Sequence, residues 1–353
     1  MIRPHVRPLI RAFSDSALPA HDLLDDAISL LGVEPLHYWD FTTNRALFSG
    51  VDVGALASTP GWSFTRATVG TAETVAGEII QFSSGQLRRT DRGVLIEGAR
   101  TNLFLNSATG ATQDVVVTAV AHTLSFRGTG TITLSGASTA GPLVGTGVND
   151  RVTLTFTPSA ATLTLTVSGS VTNVQLEVGA FASSWIPTAG ASVTRNADVL
   201  TISSPGVTYP LSLWAECERV VASGAAGGAA EIAMQVDDGT DAERANIAVA
   251  TTQIARGVMT DGGVSQASVT AGAALGLNTV YKMAGRFSLN SVQFCRDGTL
   301  GTHDTSATVP ATPTTLRIGN VVAGTSAPFN YIRRLAVFNS ALNDAQLQTI
   351  TSH

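Results

Sequence analysis

Two carboxylates and a tryptophan alternate in the run PLSLWAECERV, residues 210–220. In an extended chain successive side chains point to opposite faces, so Leu211, Leu213, Ala215 and Cys217 share one face. Trp214, Glu216 and Glu218 share the other. A sugar has one apolar face and a rim of hydroxyls, and an aromatic plane beside carboxylates matches both. Residues two apart on a strand have Cα atoms about 6.5–7 Å apart, which can bring two carboxyl groups to the separation of about 5–9.5 Å used in glycoside hydrolysis. The same face therefore reads as a sugar platform, a hydrolytic pair or a solvated acidic pair. A fourth alternative buries Trp214 against another domain or subunit.

Two more tryptophans are carbohydrate-binding candidates. Trp62 lies beside a turn in TPGWSFTRA, and Trp185 precedes Ile186-Pro187. Asp237, Asp238 and Asp241 in VDDGTDAER are a weak calcium candidate, because calcium gathers six to eight oxygens. The loop lacks the EF-hand pattern, and Asp-Asp-Gly already reads as a hairpin turn. No cofactor is otherwise expected. The six histidines (His5, His21, His37, His122, His303 and His353) are scattered singly. No metal-hydrolase spacing, nucleophile elbow, phosphate loop or dinucleotide fingerprint occurs, so no catalytic residue is assigned.

Composition narrows the partners. The chain has 353 residues, 13% of them charged, and a net charge of −5 without a Lys/Arg-rich block, which disfavours a nucleic-acid partner. Cys217 and Cys295 have no metal-ligand spacing and read as reduced core residues. Arg3, Arg7 and Arg11 are not followed by an apolar segment of about 7–15 residues, and no run reaches about 18, so neither an export signal nor a membrane span is expected.

The elements that must position these residues are strands. A short amphipathic helix is expected in SALPAHDLLDDAISLLGVEP, where Leu23, Leu24, Ala27, Ile28, Leu30 and Leu31 recur at helical spacing before Gly32 and Pro35. It docks either on its own chain or on a partner. Residues 36–100 read as an irregular β region joined to a first sandwich. Across its end GVLIEGARTNLFLNSA (93–108) places Arg100 and Asn102 at a corner between apolar runs, where a guanidinium and an amide can satisfy turn carbonyls. Between residues 115 and 178 apolar residues alternate with Thr, Ser or Arg, with turn residues every 8–12 positions, as in a sandwich or jelly roll. Residues 205–353 read as a second sandwich, with Asp-Asp-Gly, Asp-Gly-Gly and Asp-Gly hairpins and a closing helical turn capped by Ser340 or Asn343. The expected fold is mainly β, two sandwiches in tandem behind a short helical arm: 1–35 arm, 36–100 irregular β region, 101–204 jelly roll, 205–353 second sandwich.

GVLIEGARTNLFLNSA, the Thr-rich strands after it, and VQLEVGAFASSWIPTAGASVTRNADVLTI resemble the carbohydrate-binding-like jelly roll of fibre and spike proteins from tailed bacteriophages and gene transfer agents. The last 150 or so residues are similar to a concanavalin A-like (laminin G-like) sandwich, through VDDGTDAERANIAV, VQFCRDGTL and IRRLAVFNSALNDAQLQTI. The resemblance covers residues 38–353. It implies a non-enzymatic head- or tail-fibre subunit of a virion, assembled in the bacterial cytoplasm. Such a subunit binds host surface polysaccharide and forms homo-oligomers, commonly trimers; residues 1–35 lie outside the resemblance, and the expectation that this arm attaches to capsid, collar or tail proteins is not carried by it. It also implies that the Glu97–Asn102 corner is a folding joint with Glu177 on the last jelly-roll strand, and that Trp185 packs where the chain leaves the jelly roll. Some concanavalin A-like glucanases carry a third acid beyond a pair such as Glu216 and Glu218. Arg219, Val220 and Val221 stand here instead, which leaves a polysaccharide depolymerase as the alternative and a purely structural decoration protein as another.

Overall fold

The computed structural model describes residues 26–29, 31–220, 230–322 and 330–352. Among them the class is the expected one. The chain is mainly β, and α-helix is confined to Asp26–Ser29 and Asp344–Thr351. The strands form two sandwiches, a larger and a smaller.

The larger sandwich stacks a ten-stranded sheet on a seven-stranded one. Leu211–Arg219 lies in the middle of the first, antiparallel to Thr279–Ser288 on one side and Tyr331–Phe338 on the other. Leu213, Ala215 and Cys217 from this strand meet Met234, Ile247 and Leu316 from the facing sheet in one buried core. The hairpin residues behave as their types dictate: Gly262-Gly263 and Asp297-Gly298 all have positive φ, as the tight turns between antiparallel strands need. Asn343 caps the closing helix through a reciprocal capping box with Gln346.

The smaller sandwich spans 100–195. A four-stranded sheet (Gln113–Val116, Thr162–Ser168, Thr131–Gly136, Leu143–Val144) packs on a three-stranded one (Gly147–Phe156, His122–Gly128, Val171–Val178). Phe104, Leu124, Phe126, Leu163, Leu165 and Leu176 fill it. The chain enters and leaves through one two-stranded ribbon in which Arg100 pairs with Arg195.

The boundaries differ from the expected ones, because the smaller unit interrupts the larger. The segment assigned to an irregular region before the first sandwich belongs mostly to the second. His37–Asp40 pairs with Tyr331–Phe338, and Trp62–Thr65 pairs with Val199–Ser203 in the seven-stranded sheet. Val199–Ser203 likewise leaves the jelly roll for the larger sandwich. The cause is burial on both faces. His37–Asp40 is buried at every position, so it shows no alternation from which a partner could be read.

The first described residues dock on the other end of the chain. Ile28 and Leu31 pack with Leu342, Leu347 and Ile350 of the closing helical segment. Residues 1–25, the greater part of the 1–35 arm expected to attach to other virion proteins, lie outside the described residues.

Candidate functional site

The structure takes apart the constellation on Leu211–Arg219. Trp214 is fully buried beneath the C-terminal helix, where its indole Nε1 donates to the Ile350 carbonyl at 2.7 Å. Its ring is therefore closed to a ligand. Glu216 accepts from Arg333 Nε at 2.8 Å and from Arg334 Nη1 at 3.1 Å, while Glu218 is clasped bidentately by Arg92 at 3.1 and 2.6 Å. A bulge in the pairing with Tyr331–Phe338 brings both arginines to Glu216, a local insertion that period-two reading does not register. Neither carboxylate stands as a solvated acid. The outward face of this strand is largely covered, by the C-terminal helix over Trp214 and by arginines over Glu216 and the part-buried Glu218.

The other candidates are dispersed. Trp62 sits on the edge strand of the opposite sheet, partly buried against the large core. Asp237 is fully buried and held by Arg317 Nε at 2.7 Å and Nη2 at 3.2 Å, Asp238 accepts from the N–H and hydroxyl of Thr240, and Asp241 pairs with Arg244. Their oxygens serve turns and ion pairs, and among the described residues no cluster of three or more metal-capable side chains occurs.

The corner at 97–102 is a joint, built from buried charge. Asp198 joins Arg66 to Arg88, and Glu97 joins Arg88 to Arg195, with all five side chains essentially inaccessible. Burial on its own raises the Glu97 carboxyl, but the Arg195 and Arg88 guanidiniums and the Ser184 hydroxyl and N–H outweigh it and hold it at about 2. Asn102 does what an amide at a corner can do. Its Nδ2 donates to the carbonyls of Val174 and Ile186, and its Oδ1 accepts from the N–H groups of Phe104 and Leu176. Arg100 lies over the Phe181 ring at 4.7 Å and faces Glu177 at 3.7 Å.

This joint positions Trp185. The backbone on either side is fixed: Ser184 N–H donates to Glu97, Ile186 N–H to Gln175, and the Trp185 carbonyl accepts from the Thr71 hydroxyl. The half-buried indole lines a groove of about 470 Å³ between the smaller sandwich and the hairpin Gly70–Glu73/Ile79–Phe82. That volume falls within the range of about 300–1,000 Å³ for small-ligand sites. The indole Nε1 is buried and has no hydrogen-bond partner. Gln81, Asn149 and Asn173 bring side-chain amides to the same groove, none engaged with another described residue, and Thr172 and Glu78 add a hydroxyl and a carboxylate. Arg127 stiffens the base by donating to the Gly77 carbonyl at 2.7 Å and pairing with Glu73 at 2.9 Å. An aromatic wall with several uncommitted amides is the arrangement that accepts a saccharide ring and its hydroxyls. Of the three tryptophans singled out in the sequence, the structure gives this setting to Trp185. The amides come from three separate strands, so no local spacing announces them.

No family model matches the chain, and no curated protein matches it. Among solved structures it is similar to the Ruminococcus gnavus IT-sialidase CBM40 (11% identity over 40% of this chain and 82% of that one, TM-score 0.34). It is also similar to the NanB sialidase of Streptococcus pneumoniae (11%, 43% and 26%, TM-score 0.36) and to a heptameric SAP-like pentraxin of Limulus polyphemus (13%, 43% and 81%, TM-score 0.32). Each is a distant likeness to part of the chain.

Proposed function

We propose that the protein is a non-enzymatic glycan-binding subunit that engages bacterial surface polysaccharide through the Trp185 groove. The observation that carries this reading is the indole held on a rigid backbone beside three uncommitted amides. The pairing of Glu216 with Arg333 and Arg334, and of Glu218 with Arg92, supports binding over hydrolysis. Calcium has no part in this reading. The place of action belongs to the same proposal and rests on the sequence resemblance of residues 38–353 alone: a head- or tail-fibre subunit of a phage or gene transfer agent, where several copies act together on a repetitive glycan; attachment through residues 1–35 is part of the proposal but lies outside that resemblance. Linked weak sites multiply, so modest affinity at each groove is enough.

The test is titration of host capsular polysaccharide fragments into purified protein. Binding that falls about tenfold or more in Trp185→Ala, with the fold retained, supports the groove, since tenfold is about 1.4 kcal/mol, the order of the apolar burial that one ring face supplies. Absence of binding to any capsule fragment replaces this reading with a structural decoration protein. Release of new reducing ends that is lost in Glu216→Gln replaces it with a depolymerase.

A further inference from the structure

A second cleft, also about 470 Å³, opens at the seam of the two sandwiches, bounded by Gly147–Phe156 of the smaller and by Tyr331 and the Leu277-Asn278 turn of the larger. Its charges are nearly all matched. Arg92 is clasped by Glu218, Glu97 by Arg88 and Arg195, and Glu73 by Arg127. Arg151 is different. Its Nη1 donates to the Ser183 carbonyl at 2.6 Å and its Nη2 to the Ser125 hydroxyl at 2.8 Å, both neutral acceptors, and no described carboxylate forms an ion pair with it. Its partner across the strand ladder is another cation, Arg127. Burial pulls the Arg151 pKa below the usual arginine value despite the attraction of Glu177, whose own carboxyl is raised by burial.

The surroundings of this surplus cation are suited to a polyol. The Thr153 hydroxyl and the Asn278 side-chain amide are exposed and uncommitted among the described residues, and Leu277, 52% exposed, offers an apolar surface at the rim. A guanidinium binds carboxylate through parallel N–H donors, and it does so more strongly in a recessed site than in open water. We propose that this cleft binds a carboxylate-bearing sugar residue, with the acid on Arg151, ring hydroxyls on Thr153 and Asn278, and the apolar ring face against Leu277. The site is separate from the Trp185 groove and does not depend on it.

Calorimetric titration of the intact protein with oligogalacturonate, oligoglucuronate, a sialylated trisaccharide, a neutral galactose oligomer and sodium sulfate tests the proposal. At least one acidic saccharide is expected to bind about tenfold tighter than the neutral oligomer and than sulfate, and to weaken with added salt. Comparison among the three acids separates a uronate from a sialic-acid source. Arg151→Gln is expected to remove that advantage and Arg151→Lys to restore part of it. Asn278 has φ +53°, a conformation aspartate also adopts, so Asn278→Asp keeps the fold while setting a negative charge against the ligand, and binding is expected to drop severalfold. Trp185→Ala is expected to leave acid binding intact, so the two sites fail independently. Equal affinity for acidic and neutral oligomers, binding of sulfate as tight as that of the sugars, no binding in any arm, or full affinity in folded Arg151→Gln and Asn278→Asp each overturns the proposal.

Discussion

Arg195 donates to Glu97 across the seam where the smaller sandwich leaves and re-enters the larger one, and neither side chain reaches solvent. The two residues lie on the two strands' worth of chain that pass through this seam, so their bond clamps entry to exit. Its neighbours, Arg88 and Asp198, extend the clamp into the larger sandwich.

Removing the charge at the hub should be costly. Glu97→Gln leaves the buried Arg195 guanidinium without its anion and Arg88 with Asp198 alone, and breaking a buried pair from one side costs about 3–5 kcal/mol. Denaturant unfolding is expected to show that loss at neutral pH. Because the folded carboxyl sits at about 2 and the unfolded value is 4.5, this contribution is complete above pH 4.5 and fades as pH falls towards 2. The wild-type and Glu97→Gln stabilities should therefore converge in acid; parallel curves down to that limit contradict the assignment.

Acid should be felt earlier at a second place. His37 is fully buried, stacked 4.2 Å from Phe48, with Nε2 donating to the Pro205 carbonyl and Nδ1 accepting from the Ser49 N–H, an arrangement that holds the neutral ring. Burial lowers its pKa from 6.5 to about 4. The unfolded chain therefore takes up a proton first as pH falls from 6.5 towards 4, and up to about 3 kcal/mol of stability is lost across that window. Thermal melts at intervals of pH should show the slope, and His37→Phe should flatten it.

Asn102→Asp exchanges an amide that serves four backbone groups for a carboxylate facing two carbonyls. Donation to Val174 and Ile186 ends, and an unmatched charge enters a fully buried position. At about 1–3 kcal/mol for each unsatisfied buried group, the loss should reach about 3 kcal/mol or more, visible as a large fall in the midpoint of unfolding.

Trp214 gives the opposite kind of prediction. Trp214→Ala opens a cavity under the C-terminal helix and strands the Ile350 carbonyl, at a cost of about 3–5 kcal/mol. Glycan affinity of the protein that remains folded should be unchanged, whereas loss of binding without loss of stability would return this ring to the surface.

Much of this was legible in the residues. Alternation along Thr162–Ser168 and Val264–Ala271 matches their burial, because one face of each of these strands meets a core and the other meets water. The Asp-Gly and Gly-Gly hairpins and the Asn343 cap follow from local backbone chemistry, which needs no distant partner. The corner role of Asn102 was legible in its residue type, although only its bond to Phe104 is local and the other three reach to Val174, Leu176 and Ile186.

What the tertiary structure decided is everything that depends on which strands are neighbours. Leu211–Arg219 has apolar and polar parities like any half-exposed strand, yet a helix from the end of the chain covers its second face, burying Trp214, and a bulge delivers Arg333 and Arg334 to Glu216. His37–Asp40 joins strands from the far end of the chain because its four residues are buried on both sides, a state that period-two patterning cannot encode. Trp185, Gln81, Asn149 and Asn173 meet only because one sandwich is nested in the other. Side-chain type is a property of position in the chain, whereas a binding surface is a property of proximity, and proximity between residues a hundred positions apart is set by packing.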